Sequence, residues 1–146
     1  MDETDRKLLA ALRTNARSTF AELARQVGLS APAVHERVGK LEASGVITGY
    51  HAAVAPEALG YAVNGLIGIF ITDSADTEQI ADSLAAVPQV EDCWFVAGEE
   101  TFIVKVCVPD VGGLEKVIRD LNAVAGVART RTTVVLSTKF EDRIQP

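Results

Sequence analysis

No run of apolar residues in the 146-residue chain approaches the roughly 18 that a helix needs to cross a bilayer, so no transmembrane helix is expected in it. Its opening, Met1-Asp2-Glu3, has the wrong charge and polarity for a secretory or organellar signal, so a cytoplasmic location is expected. Cysteine is scarce. Cys93 and Cys107 lie in apolar, strand-like runs with neither a CxxC spacing nor a neighbouring histidine, the pattern of buried free thiols rather than of a disulfide or a zinc site. The two histidines, His35 and His51, have no Cys, Ser or carboxylate spaced around them to make a nucleophile or a metal site. The phosphate-binding pattern GxxxxGK[ST] is missing. Glu99 and Glu100 are sequence neighbours, which extended backbone would turn to opposite sides, so they do not form an acid and base pair. Neither catalysis nor a metal or other cofactor is expected.

What is present is ordinary globular material: 48% hydrophobic and 23% charged residues, in a length that suits one domain or two small ones. The net charge of −6 is unevenly spread. Residues 1–50 hold seven Lys/Arg against six Asp/Glu, and residues 51–146 hold seven against fourteen, so the whole acidic excess is C-terminal. Such asymmetry points to two modules with different partners.

The first module reads as three short helices. Leu8, Leu9 and Leu12 share a face over 5–12, and Phe20, Leu23, Ala24 and Val27 follow helical spacing over 19–27. Thr19 and Glu22 form a capping box at the start of the second helix, and Gly28 ends it. Ser30 caps a third helix with a buried stripe of Val34, Val38 and Leu41, and Gly45 follows as its C′ residue. Two amphipathic helices separated only by Gly28 and Leu29 are the sequence form of a helix-turn-helix. The alternation of Tyr50, Ala52 and Val54 predicts a short strand, or wing, after it.

From residue 63 the period becomes two. Strands are expected over 63–72, 90–96, 101–108 and 127–136, with helices marked by Ile80, Leu84 and Val87 and by Leu114, Val117, Ile118 and Leu121. The order β-α-β-β-α-β is that of a ferredoxin-like, four-stranded antiparallel sheet with both helices on one face. The predicted fold class is therefore α+β: a winged helix-turn-helix over 1–50, a wing and linker over 51–62, and a ferredoxin-like domain over 63–146. Ile67, Ile69, Ile71, Phe102, Val104 and Val106 are more apolar material than one sheet face needs, so the uncovered face is expected to pair with a second copy.

Two regions carry candidate chemistry. On the third helix Ser30 and Ala31 lie at the tip, and Ala33, His35, Glu36, Arg37 and Lys40 point outward. Small residues at the tip and polar or cationic ones behind it suit entry into the major groove of DNA. The competing reading makes Arg37 and Lys40 the solvated side of an exposed helix. Gly39 costs such a helix about 1 kcal/mol relative to alanine and calls for close packing or close approach to DNA. The second region is the turn Gly98, Glu99, Glu100 and Thr101, whose backbone amides and side chains can hold the ammonium and carboxylate of an amino acid. Taken alone it also reads as an acidic hairpin turn. Thr130 to Thr133 make the last strand hydrophilic enough for a pocket or a subunit contact, although threonine also simply favours strands.

Asp5-Arg6-Lys7-Leu8-Leu9, Glu22-Leu23-Ala24, Val27-Gly28-Leu29-Ser30, Arg37-Val38, Leu41-Glu42 and Gly45-Val46-Ile47-Thr48-Gly49-Tyr50 resemble the DNA-binding half of the Lrp/AsnC (feast/famine) transcriptional regulators. Ala97-Gly98-Glu99, the strand from Phe102 to Val106 and Arg129-Thr130-Arg131-Thr132-Thr133 resemble their amino-acid-sensing RAM domain. The resemblance implies a prokaryotic, nucleoid-associated regulator that binds double-stranded DNA, dimerises through its sheets and assembles further, often to an octamer. A free amino acid would bind between RAM domains, at Gly98, Glu99, Glu100 and Thr101 with Thr132 and Thr133 from a neighbouring subunit. Thr101 stands where the family often has an acidic residue, which leaves one fewer counter-charge and favours neutral amino acids over Lys and Arg. A sequence-tolerant architectural DNA protein is the alternative, and a small-molecule-binding protein without DNA contact a third reading.

Overall fold

The computed structural model describes residues 1–141, and the chain divides into two compact units, Met1–Ala53 together with Phe140 and Glu141, and Val54–Lys139, so the second unit ends before the expected domain 63–146 does. The division falls within the stretch expected to link the two modules.

The first unit consists of α1 (Glu3–Thr14), α2 (Phe20–Val27) and α3 (Ala31–Ala43). Each start is fixed by a side-chain cap. Asp2 and Asp5 cap α1 reciprocally, Thr19 and Glu22 do the same for α2, and the Ser30 hydroxyl accepts from the Ala33 N–H at 3.4 Å. Gly28 ends α2 at φ +70°, a left-handed conformation that costs glycine nothing, and this lets α3 begin three residues later. Leu8, Leu12, Leu23, Ala24, Val34 and Val38 close a single core. Phe20, expected on that buried side, is instead 39% exposed.

The wing strand does not form. The Val46 and Ile47 N–H groups both donate to the Leu41 carbonyl, the Tyr50 hydroxyl donates to Glu42 Oε1 at 2.8 Å, and between α3 and residue 63 a 3-10 turn at Pro56–Leu59 is the one regular element. An alternating pattern makes a strand only where a neighbouring strand accepts its ladder, and 46–54 has none, so this segment closes off the end of α3 instead.

The second unit follows the expected order: β1 (Val63–Ile71), α4 (Thr77–Ala85), β2 (Val90–Phe95), β3 (Phe102–Val108), α5 (Val111–Asn122) and β4 (Val127–Val135). The strands lie in the order β2-β3-β1-β4 with every pairing antiparallel. Ile80 and Leu84 of α4 and Leu114, Val117 and Leu121 of α5 pack on Ile67, Ile69, Phe102, Val104, Val106 and Val108. That packing corrects one expectation. The aliphatic residues read as surplus are the helix-covered face itself, with Ile71 packed partly against it. The uncovered face presents Leu66, Gly68 and Phe70 of β1, Ile103 and Lys105 of β3, Trp94 of β2, and Arg129, Arg131 and Thr133 of β4. Cys107 is buried as expected, whereas Cys93 on the edge strand β2 is exposed.

Candidate functional site

The outward side of α3 holds His35, Glu36 and Lys40, all exposed, with Ala31 and Ala33 half-buried near its tip. His35 meets the ring of Phe20 edge-on, with 4.9 Å between centroids at 86°, so the exposed phenyl on α2 orients the imidazole on α3. Lys40 Nζ pairs with Glu36 Oε1 at 2.7 Å one turn away, and that lysine holds the Glu36 carboxyl below its ordinary range. A β-carbon on Gly39 would meet nothing within 4 Å, so no packing inside the unit requires the glycine.

Arg37 is placed differently from its neighbours. Its Nη1 donates to Asp2 Oδ2 and to Asp5 Oδ1, each at 2.8 Å, so the side chain turns onto the first turn of α1 rather than away from the unit. The same carboxylates cap α1: the Asp5 N–H donates to Asp2 Oδ1 at 2.8 Å and the Asp2 N–H to Asp5 Oδ2 at 2.9 Å. These backbone donors first, and the guanidinium second, hold both carboxyls below their ordinary value of 3.8. The two carboxylates in turn raise the pKa of Arg37.

In the second unit a hollow of about 180 Å³ on the uncovered sheet face is lined by Leu66, Gly68, Glu100, Ile103, Arg131 and Thr133; of the candidate turn only Glu100 lines it, and Gly98, Glu99 and Thr101 do not. Glu99 and Glu100 do not diverge as extended backbone would have them. Arg131 Nη2 bonds the Glu100 carboxylate, and Arg131 Nη1 lies 3.6 Å from Glu99 Oε2, so one guanidinium gathers both. Gly68 makes room for this, because a β-carbon there would stand 2.5 Å from Glu100 Cγ. The Thr101 N–H donates to the Ile69 carbonyl at 2.9 Å and the Thr101 carbonyl accepts from the Val96 N–H at 3.0 Å, which stitches the end of the turn to the sheet. Gly98 is exposed, and a β-carbon on it would come no closer than 3.9 Å to another group, so its backbone does not demand glycine.

Thr132 and Thr133 cannot both serve this hollow from one strand. Thr133 pairs with Leu66 on the uncovered face, whereas Thr132 pairs with Ile67 on the helix-covered face. Gly68 was not singled out beforehand, and Arg131 was read only as part of the hydrophilic stretch Thr130 to Thr133 that could line a pocket or a subunit contact. The usable signal for Arg131 was a cation among threonines, and for Gly68 a gap in the aliphatic run Leu66 to Ile71. Beside the hollow, the Arg129 guanidinium lies 3.4 Å above the Phe70 ring centroid.

A capped helix-turn-helix joined to a ferredoxin-like unit with a charged hollow on its open sheet defines a class: regulators that couple a DNA-binding head to a ligand domain. Residues 1–42 match the AsnC-type helix-turn-helix domain and residues 65–144 match the Lrp/AsnC ligand binding domain. The HTH-type transcriptional regulator LrpA of Mycobacterium tuberculosis is 37% identical over 98% of this chain and 95% of its own length. The regulatory protein AsnC of Escherichia coli is 33% identical over 100% of this chain and 97% of its own. The feast or famine regulatory protein Rv3291c of M. tuberculosis, solved in complex with L-methionine, superposes with a TM-score of 0.93 at 37% identity over 99% of this chain and 97% of that one. The chain belongs to the Lrp/AsnC family of transcriptional regulators.

Proposed function

We propose that this protein is a non-enzymatic, amino-acid-responsive and sequence-specific regulator of genes of amino-acid metabolism. The observation that carries the reading is the presence, in one chain, of both family domains, together with full-length likeness to a regulator solved with L-methionine. DNA as the partner implies a cytoplasmic, nucleoid-associated place of action. The tip of α3 would enter the major groove through Ser30, Ala31, Ala33, His35, Glu36 and Lys40. A free amino acid would bind beside Gly98, Glu99, Glu100 and Thr101, its ammonium drawn to the two carboxylates and its carboxylate to Arg131. Thr133, on the uncovered face, would contribute to the site, whereas Thr132, on the helix-covered face, would not reach it from this copy or from one paired through the uncovered face. The uncovered sheet face, with Leu66 37% and Trp94 46% exposed, would pair two copies and leave dimers free to assemble further, up to an octamer.

Melting curves with each of the twenty amino acids test the effector, because a ligand of the folded state raises stability by mass action. Neutral side chains are expected to outrank Lys and Arg, and no shift with any of the twenty would remove the effector from the proposal. Footprinting tests the DNA half: discrete half-sites are expected, and uniform coverage would favour an architectural DNA protein instead.

A further inference from the structure

We infer that Arg37 is a positioning residue rather than a DNA contact: together with Asp2 and Asp5 it forms an ionic joint that sets α3 against the start of α1. The inference rests on the proposed binding of DNA by α3. Arg37 lies on the flank of α3, one turn from the inward Val34 and Leu41, and a single nitrogen, Nη1, spans the carboxylates of Asp2 and Asp5 at 2.8 Å each. Those carboxylates are not free to follow the arginine elsewhere. Each is held by the backbone N–H of the other in a reciprocal cap, and the Asp5 side chain is only 14% exposed. The joint therefore bridges 32 and 35 residues of sequence between two rigid helix turns.

Charge counting supports the same assignment. Two carboxylates surround one guanidinium, so the joint carries a net negative charge beside a helix expected to meet phosphates, and Arg37 contributes no spare cation to it. Were Arg37 to reach a phosphate, it would leave both aspartates uncompensated at the same approach. As a joint, the triad instead fixes the pitch of α3, and a small error in pitch misplaces His35 and Lys40, the side chains the helix presents outward.

Simple electrostatics and the joint predict opposite signs for one variant. Removing two negative charges near DNA should tighten binding if only charge matters, whereas it should weaken binding if the carboxylates hold α3 in place. Asp2→Asn/Asp5→Asn is suited to the comparison because asparagine is as good an N-cap as aspartate, so α1 keeps its start. The probe is a labelled duplex selected by the wild-type protein from a random-sequence pool, read by fluorescence anisotropy across a salt series. Arg37→Ala is expected to weaken binding about tenfold, as for one well-placed polar interaction. Its log-log salt slope should equal that of the wild type, whereas a lost phosphate contact would lower the slope by about 0.9. Asp2→Asn/Asp5→Asn should weaken binding with the same unchanged slope, and the triple variant should bind no worse than Arg37→Ala alone. Arg37→Lys should restore most of the affinity, since one ammonium can also span both carboxylates. A reduced slope for Arg37→Ala, or tighter binding by Asp2→Asn/Asp5→Asn, overturns the joint while leaving DNA binding intact. Failure of the wild type to select any duplex overturns the DNA reading itself and the joint with it.

Discussion

Each unit holds an arginine between two carboxylates, and the two triads differ in what keeps the carboxylates in place. Around Arg37 they belong to the capped first turn of α1 and accept backbone hydrogen bonds from each other. Around Arg131 they belong to a loop: Glu99 is exposed, and Glu100 is held over Gly68 by the guanidinium. The same charge pattern thus makes a fixture when both partners are anchored in helix backbone, and in the proposed function it would make a site that a ligand opens when they ride on a turn. In the proposed site an amino acid would replace the pairing of the second triad, whereas the carboxylates of the first are also held by backbone N–H groups that no ligand replaces.

The largest effect that would sharpen this contrast comes from Gly68→Ala. The new methyl group would stand 2.5 Å from Glu100 Cγ, so Glu100 must swing out and Arg131 lose its nearer carboxylate. Calorimetric titration is expected to show at least tenfold weaker amino-acid binding, the loss of one charged hydrogen bond, with DNA binding in the absence of effector unchanged. Equal ligand affinity would mean that Glu100 does not belong to the site.

Gly39→Ala should act in the other unit with two opposite signs. Alanine stabilises a helix interior by about 1 kcal/mol relative to glycine, and the open space around Gly39 leaves nothing to offset that gain, so the melting temperature of the first unit should rise. DNA affinity should fall if the glycine is there for close approach of a phosphate backbone. A stabilised variant with undiminished affinity would assign no DNA role to Gly39.

The smallest effect is on pH. Asp2 and Asp5 ionise below their ordinary value of 3.8 in the folded unit, so the triad adds stability that is complete above that value. This stability is lost as pH falls through the lowered values. Acid titration of the wild type should therefore show a steeper loss of stability below about pH 4 than Asp2→Asn/Asp5→Asn. Parallel curves would show that the two carboxyls titrate alike in the folded and unfolded chain.

Much of this architecture was legible in the sequence because periodicity reports one-sided burial directly. Val34, Val38 and Leu41 mark the buried stripe of α3, and Thr19, Glu22, Gly28 and Ser30 mark the ends around it. Two kinds of fact were not legible. Alternation does not say how many apolar residues the helices will cover, so Ile67, Ile69, Phe102, Val104 and Val106 were read as more than one sheet face needs when they all fit in the helix-covered core. Nor does local spacing name a partner dozens of residues away. Spacing alone read Arg37 as pointing outward, and only the folded unit turns it onto Asp2 and Asp5, although the Asp-x-x-Asp capping pattern at the N-terminus was available to be read. Thr132 and Thr133 were grouped as neighbours, whereas a strand turns adjacent side chains to opposite faces.

In the proposed regulator, amino-acid binding in the second unit is coupled to DNA binding in the first. The direct test is to titrate the amino acid giving the largest melting shift into the protein with and without a saturating selected duplex, and to measure duplex affinity with and without that amino acid. Coupling requires the two affinity ratios to be equal and different from one. Gly98→Val, which the backbone tolerates, should abolish both by blocking the ligand. Identical amino-acid isotherms with and without DNA would contradict the claim.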